Sequence, residues 1–286
     1  MAGCLPTKMA LSPVPTAPVT RAISTGLPPT TVAITPTGTP CPSPIPTASP
    51  PTATPYPPPA ITPAPLAPLA LTVRWLHNAW DIVWDLDAGD LDGDGVQEII
   101  VAAQDRKVHV LEPDGALRWQ YEAQAGVYAV DVADLDGDGP PEVVIGADDD
   151  RVYVLEADGR LRWDYRSGGR VTRVLAVDLD GDGRREVVAG SWDGNLYLLS
   201  RDGQLRWAAA VGAVAASLAA ADLDGDGRNE ILVGTQTGAI HAVGADGELR
   251  WRYDTGGYIR ALHATDLTGD SPVEVIAASA DGTLYV

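Results

Sequence analysis

From about Leu71 onward the chain alternates short apolar runs with polar, glycine-bearing turns, and it offers no helix-length stretch of 3.6-residue periodicity. Residues 127–165 show the pattern. Val127-Tyr128-Ala129-Val130-Asp131-Val132-Ala133 precedes an acidic loop at 134–142, and Val143-Val144-Ile145-Gly146-Ala147 follows it. The turn Asp148-Asp149-Asp150 then leads into Arg151-Val152-Tyr153-Val154-Leu155, and Ala157-Asp158-Gly159 leads into Leu161-Arg162-Trp163-Asp164-Tyr165. Runs of β-branched and aromatic residues bounded by Asp-Gly turns predict four short antiparallel strands.

This unit recurs without drift. Acidic loops start at Asp90, Asp134, Asp178, Asp222 and Asp266, 44 residues apart, and Trp75, Trp119, Trp163, Trp207 and Trp251 keep the same interval at the end of Leu-Arg-Trp or Val-Arg-Trp segments. Four strands in about 44 residues is the size of a propeller blade. The predicted fold is therefore all-β: a β-propeller of four-stranded antiparallel blades, with five blades' worth in residues 71–286. The tryptophan row is expected to pack between neighbouring blades rather than to stack on sugars. Gly146, Gly190 and Gly234 are expected where adjacent sheets approach closely. Residues 71–75 read as a fourth strand lacking its first three, and 281–286 stop after a third strand. The two fragments either complete one blade or belong to a propeller of six to eight blades cut mid-repeat, and the second reading is preferred.

Composition divides the chain near Leu71. Twenty of the 24 prolines fall within the first 68 residues, which contain no Asp or Glu, so residues 1–70 read as a disordered Pro/Thr-rich tether preceding the propeller at 71–286. An extended polyproline conformation would give it a reach on the order of 200 Å. Both cysteines, Cys4 and Cys41, lie there. Ala2-Gly3-Cys4 is similar to the end of a bacterial lipoprotein signal without its preceding hydrophobic stretch, so Cys4 is either a lipid anchor or an unpaired tail cysteine. No segment is long enough to span a bilayer as a helix.

Charge is concentrated in the repeats. The chain carries a formal net charge of -19, its first 70 residues contribute only Lys8 and Arg21, and 19 of its 39 acids sit in the five loops. Such a surface disfavours direct binding to nucleic acid or anionic membranes and favours cations. Each intact loop places Asp at positions 1, 3 and 5, Gly at 6, a peptide oxygen at 7 and Glu at 9. These are Asp90, Asp92, Asp94, Val96 and Glu98; Asp134, Asp136, Asp138, Pro140 and Glu142; Asp178, Asp180, Asp182, Arg184 and Glu186; and Asp222, Asp224, Asp226, Arg228 and Glu230. Hard cations such as Ca²⁺ take six to eight oxygens, which this spacing supplies, whereas an EF-hand needs its acid at position 12, where Val101, Ile145, Ala189 and Val233 stand. About four calcium sites are expected. A weak fifth is expected at Asp266, Thr268, Asp270, Pro272 and Glu274, where Thr replaces the position-3 acid and Ser271 the position-6 glycine. Since two carboxylates about 4 Å apart repel by roughly 4 kcal/mol at an effective dielectric near 20, empty loops should destabilise the fold and calcium should be mainly structural.

On these loops the chain resembles the FG-GAP or VCBS repeats of integrin-α-like propellers, whose calcium loops read Asp-x-Asp-x-Asp-Gly-x-x-Asp/Glu. The Phe-Gly and Gly-Ala-Pro words of that family are absent, and the chain has no Phe. The segment from Tyr153 to Trp163 is also similar to quinoprotein (PQQ-type) propeller repeats. The first resemblance implies calcium loops bracing one face and ligands bound on the other, hence binding and adhesion. It supports an exported, surface-tethered module at the extracellular or cell-envelope surface that binds a protein or a carbohydrate. On the face opposite the loops the repeats diverge, carrying Gln104, Asp148, Trp192, Gln236 and Ala280 at one position and Arg170 and Tyr258 in blade connections. Trp192, Arg170 and Tyr258 are therefore the candidate ligand contacts. The alternatives are a propeller enzyme, either a polysaccharide lyase or glycosidase or a quinoprotein-like dehydrogenase, and an architectural spacer. No catalytic constellation is recognised: His77, His109, His241 and His263 lack zinc spacing, and His109 and His241 align with Tyr153 and Tyr197 of sister blades.

Overall fold

A computed structural model of the chain describes residues 72–269 and 273–286. The tether expected at 1–70, with Cys4 and Cys41, lies outside the described residues, as do Asp270, Ser271 and Pro272 of the fifth loop. Among the described residues every regular element is a strand. The first sheet holds β1 (Val83–Gly89), β2 (Glu98–Ala103), β3 (Lys107–Leu111) and β4 (Leu117–Glu122) in sequence order, each pair antiparallel. The second repeats this with β5 (Val127–Ala133), β6 (Glu142–Ala147), β7 (Arg151–Leu155) and β8 (Leu161–Arg166), which match the predicted strands to within one residue. The third is β9 (Val171–Val177), β10 (Glu186–Ser191), β11 (Asn195–Leu199) and β12 (Leu205–Ala210). The fourth is β13 (Ala215–Ala221), β14 (Glu230–Thr235), β15 (Ala239–Val243) and β16 (Leu249–Asp254). The fifth has three strands, β17 (Ile259–Thr265), β18 (Glu274–Ser279) and β19 (Leu284–Tyr285).

Each sheet is a blade, and the first strands of successive blades lie side by side: β1 against β5, β5 against β9, β9 against β13 and β13 against β17. Side chains tie them rather than a ladder. The Asp87 carboxylate accepts from Val132 N at 2.8 Å, Asp131 from Ala176 N at 2.6 Å and the Ser217 hydroxyl from Leu262 N at 3.0 Å. The core lies between sheets. Ile100, Val108 and Val110 of the first blade pack on Val127, Val143 and Ile145 of the second, and the next pairs of blades repeat the arrangement. In the second strands β6, β10 and β14 every residue is buried, whereas the fourth strands β4, β8, β12 and β16 have no buried residue and are half-buried or exposed throughout.

The repeated Gly and Trp columns account for blade spacing. A Cβ on Gly146, Gly190 or Gly234 would land on Val171, Ala215 or Ile259 of the next blade's first strand, so only glycine admits the close approach there. Trp119 Nε1 donates to Ala157 O at 3.0 Å, Trp163 to Arg201 O at 2.7 Å and Trp207 to Ala245 O at 2.8 Å, each in the following blade. Their rings lie against Gly159, Gly203 and Gly247, whose φ values of +85°, +77° and +81° turn the chain over the indole. The tryptophan row is inter-blade packing.

One expectation at the ends needs correction, and one of the two alternatives offered there falls away. Residues 72–75 form no strand, because among the described residues no third strand lies beside them to share a ladder, although Trp75 still reaches Pro113 O at 2.9 Å as its sister tryptophans do. Nor do these residues complete the fifth sheet, which remains three-stranded.

Candidate functional site

The acidic loops join first to second strands at one end of the blades. In each intact loop the first Asp is held by backbone donors: Asp90 accepts from Gly93 N at 2.7 Å and Gly95 N at 2.8 Å, and Asp134, Asp178 and Asp222 repeat both bonds. Both glycines have positive φ, +76° and +86° in the first loop, so position 4 carries the same demand as position 6. The position-9 glutamate accepts from the position-2 amide, as Glu98 does from Leu91 N at 2.8 Å and Glu142 from Leu135 N at 2.9 Å. Position 5 caps the amide of position 7 in three loops, Asp94 to Val96, Asp182 to Arg184 and Asp226 to Arg228, each at 2.8 Å. Pro140 has no N–H to offer. There Asp138 is instead pushed up, first by desolvation and then by the charges of Asp136 and Asp134.

Carboxylate oxygens converge within 4.8 Å in four of the loops: Asp90, Asp92 and Asp94; Asp134, Asp136 and Glu142; Asp178, Asp180 and Glu186; and Asp222, Asp224 and Asp226. Positions 1 and 3 meet in all four, and the third member is position 5 or position 9. An all-carboxylate donor set suits a hard divalent cation, so the residues fit calcium. The fifth loop shows no such cluster among the described residues. Its Thr268 hydroxyl donates to Glu274 at 3.2 Å, and Glu274 still accepts from Leu267 N at 2.8 Å.

A counter-charge that the spacing did not suggest accompanies three of these loops. Arg118 reaches Asp92 at 2.7 Å, Arg162 bridges Asp136 at 2.5 Å and Glu142 at 2.6 Å, and Arg206 bridges Asp180 at 3.1 Å and Glu186 at 2.9 Å. The hydrogen bond from arginine holds Asp92 and Asp136 below the usual carboxylate range. Burial pushes Glu142 and Glu186 up, opposed by the amide they accept and by the arginine. Arg250, next in the column, turns instead to Asp246 at 2.9 Å. The signal was in the Leu-Arg-Trp triplets, whose arginine is as periodic as the tryptophan.

At the other end of the blades a cleft of about 270 Å³ gathers residues from all five. Two regularities build it. The amide of Trp192 donates to Arg170 O at 2.7 Å and that of Ala280 to Tyr258 O at 2.8 Å, so the variable residue after each second strand sits beside the variable residue before the first. Each first strand also carries a bulge at one fixed place, where Trp84, Tyr128, Thr172, Ala216 and Arg260 are left out of the ladder. A bulge re-aims its extra side chain, and four of these five residues line the cleft. The sequence-predicted Trp192, Arg170 and Tyr258 all line it too. Sequence reasoning missed Trp84, Tyr128 and Arg173, although the divergence of Trp, Tyr, Thr, Ala and Arg along one column of a regular repeat marked the place.

Within the cleft the Arg170 guanidinium lies 4.9 Å from the Tyr128 ring centre and 4.8 Å from that of Trp192, and its Nε donates to Asp148. Trp84 stacks on Tyr128 with ring centres 4.9 Å apart and donates to Gln104 Oε1 at 2.7 Å. Trp192 and Trp84 remain 52% and 46% exposed, although surface tryptophans are ordinarily more covered. The histidines stay apart from this cleft. His109 and His241 are buried on third strands, His109 reaching Asp105 at 3.0 Å and His77 at 3.4 Å, and His263 lies on β17.

Comparison with known proteins agrees with this geometry. Residues 134–189 and 178–233 match a profile described as an FG-GAP-like repeat, 214–257 match the FG-GAP repeat, and 74–161 match the lambda-carrageenase β-propeller domain. No curated protein matches the chain. Among solved structures, two crystals of BBS1N in complex with ARL6DN, soaked with lead and with mercury, superpose at TM-score 0.58 with 16% and 17% identity. Saccharomyces cerevisiae Sqt1 superposes at 0.61 with 11%. Each match covers 71% of this chain and 64, 66 and 58% of the respective solved chain, just under two thirds at most. At such identities the likeness is one of fold. With its 44-residue blades, aspartate-rich first loops and matching profiles, the chain is a blade-repeat β-propeller that carries FG-GAP-type repeats over residues 134–257.

Proposed function

We propose that the chain is a binding module, exported and tethered at the cell surface, in which calcium braces one end of the blades and a protein or glycan ligand docks at the other. The observation that supports this most is the meeting of Arg170, Trp192 and Tyr258 in one cleft, on the side away from the acidic loops. These residues come from two different blades and break the repeat. Packing alone would favour the same residue in every blade, so their divergence points to a ligand.

Calcium would be held by the position 1, 3 and 5 aspartates and the position 9 glutamate of the four intact loops, with the carbonyls of Val96, Pro140, Arg184 and Arg228. Bound there, it supplies positive charge to carboxylates that otherwise repel one another. Calcium sites of extracellular modules work at about 10⁻⁴–10⁻³ M, which suits a protein outside the cell. Attachment through Cys4 is part of the same proposal. Among the described residues no helix is long and apolar enough to cross a membrane. The profile match at 74–161, to a propeller domain of an enzyme named for carrageenan, favours a carbohydrate among the ligands. The module itself is read as non-catalytic, since among the described residues no carboxylate or histidine lines the cleft to act as general acid or base.

The test has two arms. Elemental analysis of the full chain dialysed against 2 mM Ca²⁺ should find about four calcium ions, with a higher melting temperature than in chelator. Glycan and protein arrays probed with the wild type and with Trp192→Ala should yield a ligand lost in the variant. Turnover of an arrayed polysaccharide would contradict the non-catalytic reading, and an unchanged profile in Trp192→Ala would remove the cleft from it.

A further inference from the structure

We propose that the cleft at the end of the blades away from the acidic loops is a receptor for an acidic sugar, a single uronate or sulfated unit of a polysaccharide. Its anionic group would be held by Arg173 and the free edge of Arg170, and its ring would lie on Trp192. This deepens the binding reading above and rests on it.

The charge distribution carries the argument. The chain has 39 acidic residues and a net charge of -19, yet among the described residues no acid lines this cleft while two arginines do; Asp148, Asp150 and Asp193 line instead the neighbouring hollow that Arg170 and Trp192 share. Arg173 sits on β9 with its Nη1 donating to Thr172 O at 2.6 Å; it makes no contact ion pair among the described residues, and the one carboxylate it is seen to influence, through space, is Asp85. Arg170 is committed only through Nε, to Asp148, which leaves both terminal nitrogens without an intramolecular hydrogen bond among the described residues. The ring centres of Tyr128 and Trp192 both lie within 4.9 Å of its guanidinium carbon and hold it in the cleft. A guanidinium held by aromatic rings, with its outer fork open, matches the two oxygens of a carboxylate or sulfate.

The remaining surface suits a pyranose. The exposed indole of Trp192 offers a flat apolar face at the rim, Trp84 offers a second, and Gln236 supplies an amide for hydroxyl groups. Ala215 and Ala216 leave the floor shallow. About 270 Å³ is slightly below the ~300–1,000 Å³ of pockets that enclose a drug-sized ligand, so one sugar unit enters while the rest of a polymer passes outside. An acidic peptide fits less well. Peptides dock on free strand edges or along extended grooves, and the first strands here are paired to the second strands on one side and tied to their neighbours on the other. The acidic loops do not veto an anion. A seven-residue first strand separates them from the cleft by roughly 20 Å, more than two Debye lengths of about 8 Å at physiological ionic strength.

The experiment is calorimetric titration of the full chain in 2 mM Ca²⁺ with polygalacturonate, chondroitin sulfate, neutral dextran and poly-L-glutamate. At least one of the two acidic polysaccharides should bind, dextran and poly-L-glutamate should not, and affinity should fall as salt is raised. Arg173→Gln should weaken binding tenfold or more at unchanged melting temperature. Trp84→Ala, at an exposed ring, should weaken it severalfold and guards against a folding defect in the first variant. Equal binding of dextran would overturn the role of charge, and equal or tighter binding of poly-L-glutamate would replace the sugar by an acidic peptide. If neither acidic polysaccharide binds while the arrays return a Trp192-dependent ligand, this inference fails and the binding reading stands. If the arrays are also blank, both fail.

Discussion

Replacing Arg162 by methionine separates the two positive charges that the second loop can use. Arg162 contacts Glu142 at 2.6 Å and Asp136 at 2.5 Å, and the Glu142 side chain is 2% exposed. Methionine keeps most of the length and none of the charge. Glu142 then retains only the Leu135 amide at 2.9 Å, and breaking a buried pair from one side costs about 3–5 kcal/mol. For a domain of 150–250 residues each kcal/mol moves the melting temperature by about 2–4 °C, so the variant should melt about 6–20 °C lower in chelator. Calcium in the same loop supplies the missing charge, and in 5 mM Ca²⁺ the deficit should shrink by at least half. Arg250→Met is the control, because Arg250 is 41% exposed and pairs with Asp246 and Glu248 outside the loop, where such pairs contribute about 0–1 kcal/mol. Differential scanning calorimetry of the two variants and the wild type, with and without calcium, measures all of this. Equal deficits for Arg162→Met in chelator and in calcium would refute the shared role of arginine and metal.

Two further outcomes follow from the blade contacts. Asp131 has its carboxyl raised from 3.8 to about 6, first by burial and then, against the amide of Ala176, by the charge of Asp87. Its proton is held more tightly in the folded state, so the stability it contributes is full below about pH 4 and is lost as pH rises through about 6. The gap corresponds to at most about 3 kcal/mol. Asp131→Asn should therefore raise the melting temperature at pH 8 and flatten the pH dependence between 4 and 7, and a variant less stable than wild type at pH 8 would contradict this. In Gly190→Ala the new Cβ would sit 2.5 Å from the Ala215 Cβ and should cost about 1–3 kcal/mol by urea unfolding. The double variant Gly190→Ala, Ala215→Gly should recover most of that loss, and no recovery would mean that the blades are not spaced by this contact.

The architecture was legible because its demands repeat. An Asp-Gly turn, a Leu-Arg-Trp strand and a second-strand glycine at one interval each state a local requirement; four of the five blades meet the first two and three meet the third. The strand expected at 71–75 failed for a related reason. A sequence can show strand character, but a ladder needs a neighbour, and among the described residues none lies beside Trp75. The arginine partners of the loops were hidden differently: Arg162 is 20 residues from Glu142 and 26 from Asp136, and only the fold of the blade closes those gaps.

The cleft was half legible, and the missing half shows how function is written into a repeat. Trp192 drew attention because its sisters are polar, and Arg170 and Tyr258 because they stand where a blade connection needs only a turn. Trp84 and Tyr128 drew none, since an aromatic residue within a strand reads as core by alternation. The bulge reverses that reading. All five first strands leave one residue out of the ladder at the same place, and in four of them that residue, whatever its type, lines the cleft instead of following the strand's alternation. Each blade thus carries the same three open positions: before the first strand, at the bulge and after the second strand. Their contents can change without disturbing the glycine and tryptophan columns that space the sheets. Substitutions at the bulge column should accordingly alter ligand choice at little cost in stability, whereas those at Gly190 or Trp163 should do the reverse.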